Sequence, residues 1–359
     1  MKQLTLFCLI LFTNCLLFAQ NKDTWIAFQN ADSTLTGFKD SKGNIKIAPK
    51  FMGMSIAHKF DDIMVVTEET NATWKSYYLT KSGKIVGRDS LYIYDNSPDC
   101  ENEGFIRFKD YKTDKMGLFN SDGKIVIPAQ YSGITRVRNG MIIALKDAVK
   151  IQDGEHYFWS GGKEYLIDTT NKVLVENFAC TDELNFYSLE KSKEQNPDPI
   201  RDHFIGVDGL YYSFINFDKE FKAWLKNNLL SDVSKDNLIK NSFEKITYWK
   251  EPNGWVTASK TKFIGQNYTF IKLKLQELNA AKTDYFVSSD RLNKFIFETS
   301  EYKMYFNNCN EPKDWQYPVK NIVISSKNKS DFGQDHLQFL KTENGYKLIS
   351  VSSGKEELK

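Results

Sequence analysis

The chain has 359 residues, 41% of them hydrophobic, and its 48 basic and 46 acidic residues leave a formal charge of +2. That length allows one large or two ordinary domains, each with its own core, and so apolar a chain of such low charge is not disordered. The even charge balance leaves no electrostatic footprint for nucleic acid or an anionic membrane.

Residues 1–19 read as a secretory signal peptide. Lys2 precedes the apolar run LTLFCLILFTNCLLFA, and cleavage after Ala19 would leave Gln20 as the new terminus. The run is shorter than the roughly 20 apolar residues a membrane span needs, and Asn14 interrupts it. The ending LFAQ resembles signal peptides of Bacteroidetes-type bacteria. A lipoprotein would use Cys15, but FTNC lacks the small residues expected before a lipidated cysteine. The expectation is an exported protein, periplasmic or secreted, with no membrane span in the mature chain. Of the five cysteines, Cys100, Cys180 and Cys309 remain after cleavage. Odd in number and far apart, they give no disulfide framework; an oxidising compartment leaves room for one bridge, but free or partly buried thiols are the plainer reading.

Four segments then align on a turn: GFKDSKGNIKI at Gly37, YYLTKSGKIVG at Tyr77, GLFNSDGKIVI at Gly117 and YLIDTTNKVLV at Tyr165. The pivots Gly43, Gly83, Gly123 and Asn171 are 40, 40 and 48 positions apart. Gly and Asn are the residues that most readily accept a positive φ. Two places after each pivot stands Ile45, Ile85, Ile125 or Val173, always β-branched. The pattern predicts four β-hairpins, each with a type I turn closed by a left-handed residue. WIAF at Trp25 and FIRF at Phe105 supply strands leading into the hairpins, and the stretch from Lys150 enlarges one loop of the fourth unit. A hairpin of this size cannot bury a face alone, so neighbours must stack.

These residues resemble the WG-repeat (KWG) family of bacterial envelope and secreted proteins. KMGLFNSDGKIVIPAQY from Lys115 is the best match, followed by TGFKDSKGNIKIAPKF from Thr36. Thr36 and Met116 stand where the family has its tryptophan, and Tyr77 and Tyr165 replace the glycine. The resemblance covers about residues 25–180. It implies a β-repeat array, propeller-like or solenoid, used for binding or structure without shared catalytic residues. The repeat domain is expected over 20–190.

Residues 191–202, KSKEQNPDPIRD, are charged and carry two prolines, which reads as a linker to an α+β domain over 203–359. There Phe217, Phe221, Trp224 and Leu225 form a helical stripe with Asn216 as N-cap, and Ser234 caps a second short helix. KITYW, WVTA, YTFIKLKL, KFIFE, YKMYF and VKNIVIS read as strands, and Asn344-Gly345 as a hairpin turn. Two helices before a curved antiparallel sheet, with the closing hairpin, slightly resemble the cone fold of the nuclear transport factor superfamily. That resemblance implies a pocket between sheet and helices.

The four histidines, His58, His156, His203 and His336, are well separated, and no HExxH, C-x-x-C, G-x-S-x-G or Walker motif occurs. No catalytic, cofactor-binding or metal-ligating residue is therefore assigned. The expectation is a non-enzymatic binding protein whose β-repeats present a surface to a protein partner in the cell envelope. The alternatives are a small-molecule or carbohydrate binder, using a pocket in the α+β domain or the loop aromatics Tyr157, Phe158 and Trp159.

Overall fold

A computed structural model describes residues 23–53, 57–179, 183–278, 285–325, 333–354 and 357–359. The expected signal peptide and Cys180 lie outside the described residues.

The fold is mainly β, built from repeated three-stranded antiparallel meanders. The leading strands are Trp25–Gln29, Ile63–Thr70, Phe105–Asp110 and Met141–Lys146. The central strands are Leu35–Lys39, Thr73–Thr80, Lys115–Asn120 and Lys163–Asp168. The trailing strands are Ile45–Met52, Ile85–Val86, Ile125–Tyr131 and Val173–Glu176. In every repeat the central strand pairs antiparallel with both others.

The turn between central and trailing strands is built identically four times. The amides of Gly43, Gly83, Gly123 and Asn171 donate to the carbonyls of Asp40, Thr80, Asn120 and Asp168 at 2.9–3.0 Å. The first residue's side chain reinforces the turn. Asp40, Asn120 and Asp168 each use Oδ1 to accept the amides two and four places on, and Thr80 Oγ1 accepts from Lys84 N. Such a short polar side chain fixes the reversal locally. The fourth residue must then go left-handed, with φ of +86°, +87°, +65° and +69° at Gly43, Gly83, Gly123 and Asn171.

Alternation along the strands is what stacks the repeats. Met64, Val66, Tyr77 and Leu79 of repeat two pack on Phe38 and Phe51 of repeat one. Their neighbours Ile63, Val65 and Tyr78 face the other way, onto Ile106, Phe108 and Phe119 of repeat three. Leu118, Ile127 and Tyr131 then meet Ile142, Ala144 and Ile167 of repeat four. Each fully buried side chain of this kind stabilises by about 1.5–3 kcal/mol.

A fifth hairpin, not anticipated from sequence, continues the stack. Strands Arg201–Ile205 and Tyr211–Asn216 are joined by the same turn: Gly209 N donates to Gly206 O at 2.9 Å, with Gly209 at φ +76°. The leading strand Leu184–Ser192 pairs with the second strand of this hairpin instead of the first, so the topology changes at the end of the array. Phe178, Phe186 and Phe214 pack it onto Met141, Leu166 and Val175 of repeat four. The stretch 191–202 is therefore a loop between strands of one sheet and not an interdomain linker. Lys191 and Ser192 end one strand and Arg201, buried, begins the next. Its charge and prolines misled because a solvated loop and a linker have the same composition.

The remaining chain is α+β. Helix α1 (Phe217–Trp224) starts at the N-cap Asn216, runs on through a π-turn to Leu230, and is followed by α2 (Lys235–Lys240), capped by Ser234. Three strand readings fail. YTFIKLKL belongs to α3 (Lys260–Glu277), which buries Phe263, Ile264, Asn267, Phe270, Ile271 and Leu275 at helical spacing. KFIFE lies largely in turns, and YKMYF is mostly a 3-10 helix. The six-stranded sheet runs in the order 254–259, 242–250, 345–352, 334–342, 319–325, 285–290, and only the pair 242–250 with 345–352 is parallel. The space between sheet and helices is filled by Phe221, Leu225, Ile246, Phe263, Phe339 and Leu348 among others. The pocket implied by the cone-fold resemblance is occupied by this core.

Candidate interaction surface

The repeats differ at one position with structural consequences. In repeats one and three the central strand carries Gly37 and Gly117. A Cβ on Gly37 would sit 2.5 Å from Ile47 O, and one on Gly117 2.6 Å from Ile127 O. The trailing strand bulges tightly over the glycine and continues, for eight residues in repeat one and seven in repeat three. Repeats two and four hold Tyr77 and Tyr165 instead, and their trailing strands have two and four residues. In repeat two the chain turns away at Gly87 (φ +62°), and Ser90 and Leu91 join the edge of Phe105–Asp110 in repeat three. Tyr77 is buried, donates to Glu68 Oε1 at 2.6 Å, and carries the Arg88 guanidinium over its ring at 4.9 Å.

The departure leaves a groove of about 670 Å³ beside the outer edge of Thr73–Thr80. Glu68, Thr70, Trp74, Lys75 and Ser76 form one side, and Arg88, Asp89, Leu91, Ile93 and Tyr111 the other. Trp74 and Ile93 are each 51% exposed. Glu68 is already engaged by Lys50 at 3.0 Å and by Tyr77. Burial pushes its carboxyl up, but these two hydrogen bonds outweigh that and leave it below its usual value.

A second constellation sits at one end of the stack. His58, Cys100 and Arg136 each stand five places ahead of a leading strand. All three hold the turn 307–311 of the C-terminal region. Amides of His58 and Lys59 donate to Asn308 O at 2.8 and 3.1 Å, Cys100 and Cys309 form a disulfide, and Arg136 makes a two-pronged bond to Glu311 at 2.6 and 3.2 Å. The turn repeats the array's own device. Asn310 N donates to Asn307 O, Asn307 Oδ1 accepts from Cys309 N and Glu311 N, and Asn310 is left-handed at φ +57°. The disulfide corrects the reading of free thiols, which had no local spacing to go on across 209 residues. The motif N-x-x-N at Asn307 was the available signal for the turn.

Under this clasp, Asp99 is fully buried between Arg107 and Arg136. Burial raises its pKa, but the two guanidinium groups prevail and hold it at about 2. Elsewhere the buried Lys320 joins Glu183, beside the fifth unit, to Asp218 of α1 at 2.5 and 2.6 Å. The repeats and the α+β region thus share a covalent and an ionic seam.

The loop aromatics lie on a projecting hairpin, Val149–Asp153 with His156–Ser160. Tyr157 and Trp159 share one face, with Lys150 3.8 Å over Tyr157 and Lys115 5.8 Å over Trp159. Phe158 points the other way beside Ile151, 52% exposed. The structure does not bring the three rings together as one stacking platform. Trp315 and Tyr317 are buried, Trp315 beneath Arg138. Among the described residues no group of three His, Cys, Asp or Glu is arranged to hold a metal, and no helix is long and apolar enough to cross a membrane.

Residues 116–148 match the family model of the WG containing repeat. The match falls on repeat three and the start of repeat four, where the resemblance was clearest. No curated protein matches the chain. Among solved structures, Kluyveromyces lactis Hsv2 is similar at 10% identity, covering 93% of this chain and 83% of that one with a TM-score of 0.27. The same protein in a form described as complete loop 6CD is similar at 9% identity, covering 93% and 84% with a TM-score of 0.24. Superpositions this loose carry no argument about this chain. None of these matches supports the nuclear transport factor resemblance.

Proposed function

We propose that the chain is an exported, non-enzymatic β-repeat protein that binds another protein of the cell envelope through the groove on repeat two. The observation behind this reading is the selective opening of one repeat. Repeats one and three are sealed by long trailing strands, while repeat two leaves Trp74 and Ile93 exposed beside an uncovered edge. Exposed aromatic and aliphatic side chains in a concave site are typical anchors for a protein partner. The leader at 1–19 and the Cys100–Cys309 disulfide both favour an oxidising compartment outside the cytoplasm. The absence of catalytic motifs from the sequence underlies the non-enzymatic assignment.

The test is site-specific photocrosslinking in cells. A photoreactive residue at Trp74 should give a discrete adduct with one partner, and the same group at the exposed Lys262 on α3 should not. Equal or absent crosslinking from the two sites would overturn the proposal. The carbohydrate alternative is less favoured, because lysine ammonium groups occupy faces of Tyr157 and Trp159. The pocket alternative meets a filled core.

A further inference from the structure

The occupant of that groove can be narrowed by the backbone beside it. In the Thr73–Thr80 strand, the Asn71-Ala72 turn has both residues at positive φ, which sets a two-residue hairpin with Thr70 opposite Thr73. Pairing then alternates. Thr73, Lys75 and Tyr77 turn their N–H and C=O groups inward to the leading strand, and Trp74 and Ser76 turn theirs outward. The counterparts of Ser76 are Thr36 and Met116, which meet Phe51 and Tyr131 of their trailing strands. Repeat two supplies such pairs only at Tyr78 and Leu79, so among the described residues no trailing strand reaches Trp74 or Ser76. The missing piece is an extended main chain.

The side chains set its pattern. Lys75 lies across from Glu68 on one face of the hairpin, the face on which Arg88 covers Tyr77. Glu68 is neutralised by Lys50, so this face presents net positive charge to a newcomer. Trp74 and Ser76 project on the opposite face.

We propose that the groove binds a partner polypeptide as an added antiparallel strand, with an acidic residue opposite Lys75 flanked by apolar residues opposite Trp74 and Ser76. This deepens the interaction reading above and rests on it. Main-chain hydrogen bonds would give the affinity and the alternating side chains the selectivity. The four-repeat plan shows that the array accepts a strand at this position.

The experiment uses the full mature chain and an acetylated, amidated nonapeptide with a Val-Glu-Val centre, followed by calorimetry and residue-resolved NMR. Saturable binding with shifts at Trp74, Lys75 and Ser76 is expected. N-methylation of the two valines should weaken it at least tenfold without touching the protein. Glu to Lys in the peptide should do the same. Ser76→Pro, at an edge position whose N–H faces the groove, should match the N-methyl effect while circular dichroism stays unchanged. No saturable binding, or binding indifferent to N-methylation, would overturn the assignment. A Ser76-dependent dimer in sedimentation would also overturn it, in favour of a second copy on the edge. A photocrosslinked partner that persists in Ser76→Pro would reject strand addition while leaving the interaction role standing.

Discussion

Repeats one and three differ from repeat two by a single side chain at the point where the trailing strand must cross. With Gly37 or Gly117 the backbones approach closely enough for the strand to bulge over and seal the sheet. With Tyr77 a buried ring takes that space, the strand ends after Val86, and the chain is handed to the next repeat. One plan therefore yields both closed modules and an open one. The glycine permits the tight bulge of repeats one and three, but its loss alone does not open a repeat: in repeat four Tyr165 still pairs with Glu176, whereas in repeat two the exchange coincides with the diversion at Gly87.

The largest expected effect breaks the tyrosine side of this contrast. Tyr77→Gly removes a buried ring, its bond to Glu68 and its stacking on Arg88. A loss of about 3–5 kcal/mol in urea unfolding is expected, as for other large-to-small core changes. The groove should stay open, because Gly87 still diverts the chain. A gain in stability would mean that glycine alone restores the closed form.

Next in size is the clasp between the array and the α+β region. Cys309→Ser should lower stability by about 2–4 kcal/mol, and reductant should lower that of the wild type to the same degree. Two separate unfolding transitions appearing only in the variant would show that the disulfide couples the two regions. An unchanged midpoint would show that the ionic contacts suffice.

Acid should act on the same seam. Asp99 has a pKa depressed to about 2, so its ionised form stabilises the fold above the usual carboxylate range. That contribution, about 2 kcal/mol, is lost as pH falls from about 4 to about 2. Asp99→Asn should destabilise at neutral pH and flatten the acid limb of a stability–pH curve in that window. An unchanged limb would show that Asp99 does not contribute to acid stability.

The smallest effect tests the turns. Gly123→Val forces a β-branched residue to φ +65° and crowds Val86 at 3.0 Å. It should cost about 1–2 kcal/mol, read as a lower melting midpoint.

What was legible in the sequence was local. Each turn is written in five consecutive residues, an Asx or Thr acceptor followed by a left-handed Gly or Asn, so four could be found by alignment. The fifth escaped because Gly206 replaces the polar acceptor and the strands swap order. Helix α3 escaped because Tyr268 to Leu275 alternates like a strand, while its caps and buried stripe span a longer window. The groove was illegible because it arises from a strand that is not made. Tyr77 in place of glycine was visible, but Tyr165 makes the same exchange and still pairs with its trailing strand, so only the geometry shows which of the two repeats is left open. The pairing of Cys100 with Cys309 depends on the docking of two distant turns.

Repeat two is left open where its neighbours are sealed, and amide hydrogen exchange resolved by NMR reads this difference residue by residue. Slow exchange is expected at Thr36 and Met116, held by their trailing strands, and fast exchange at the structurally equivalent Ser76. Protection of Ser76 equal to that of Met116 in the isolated protein would contradict it.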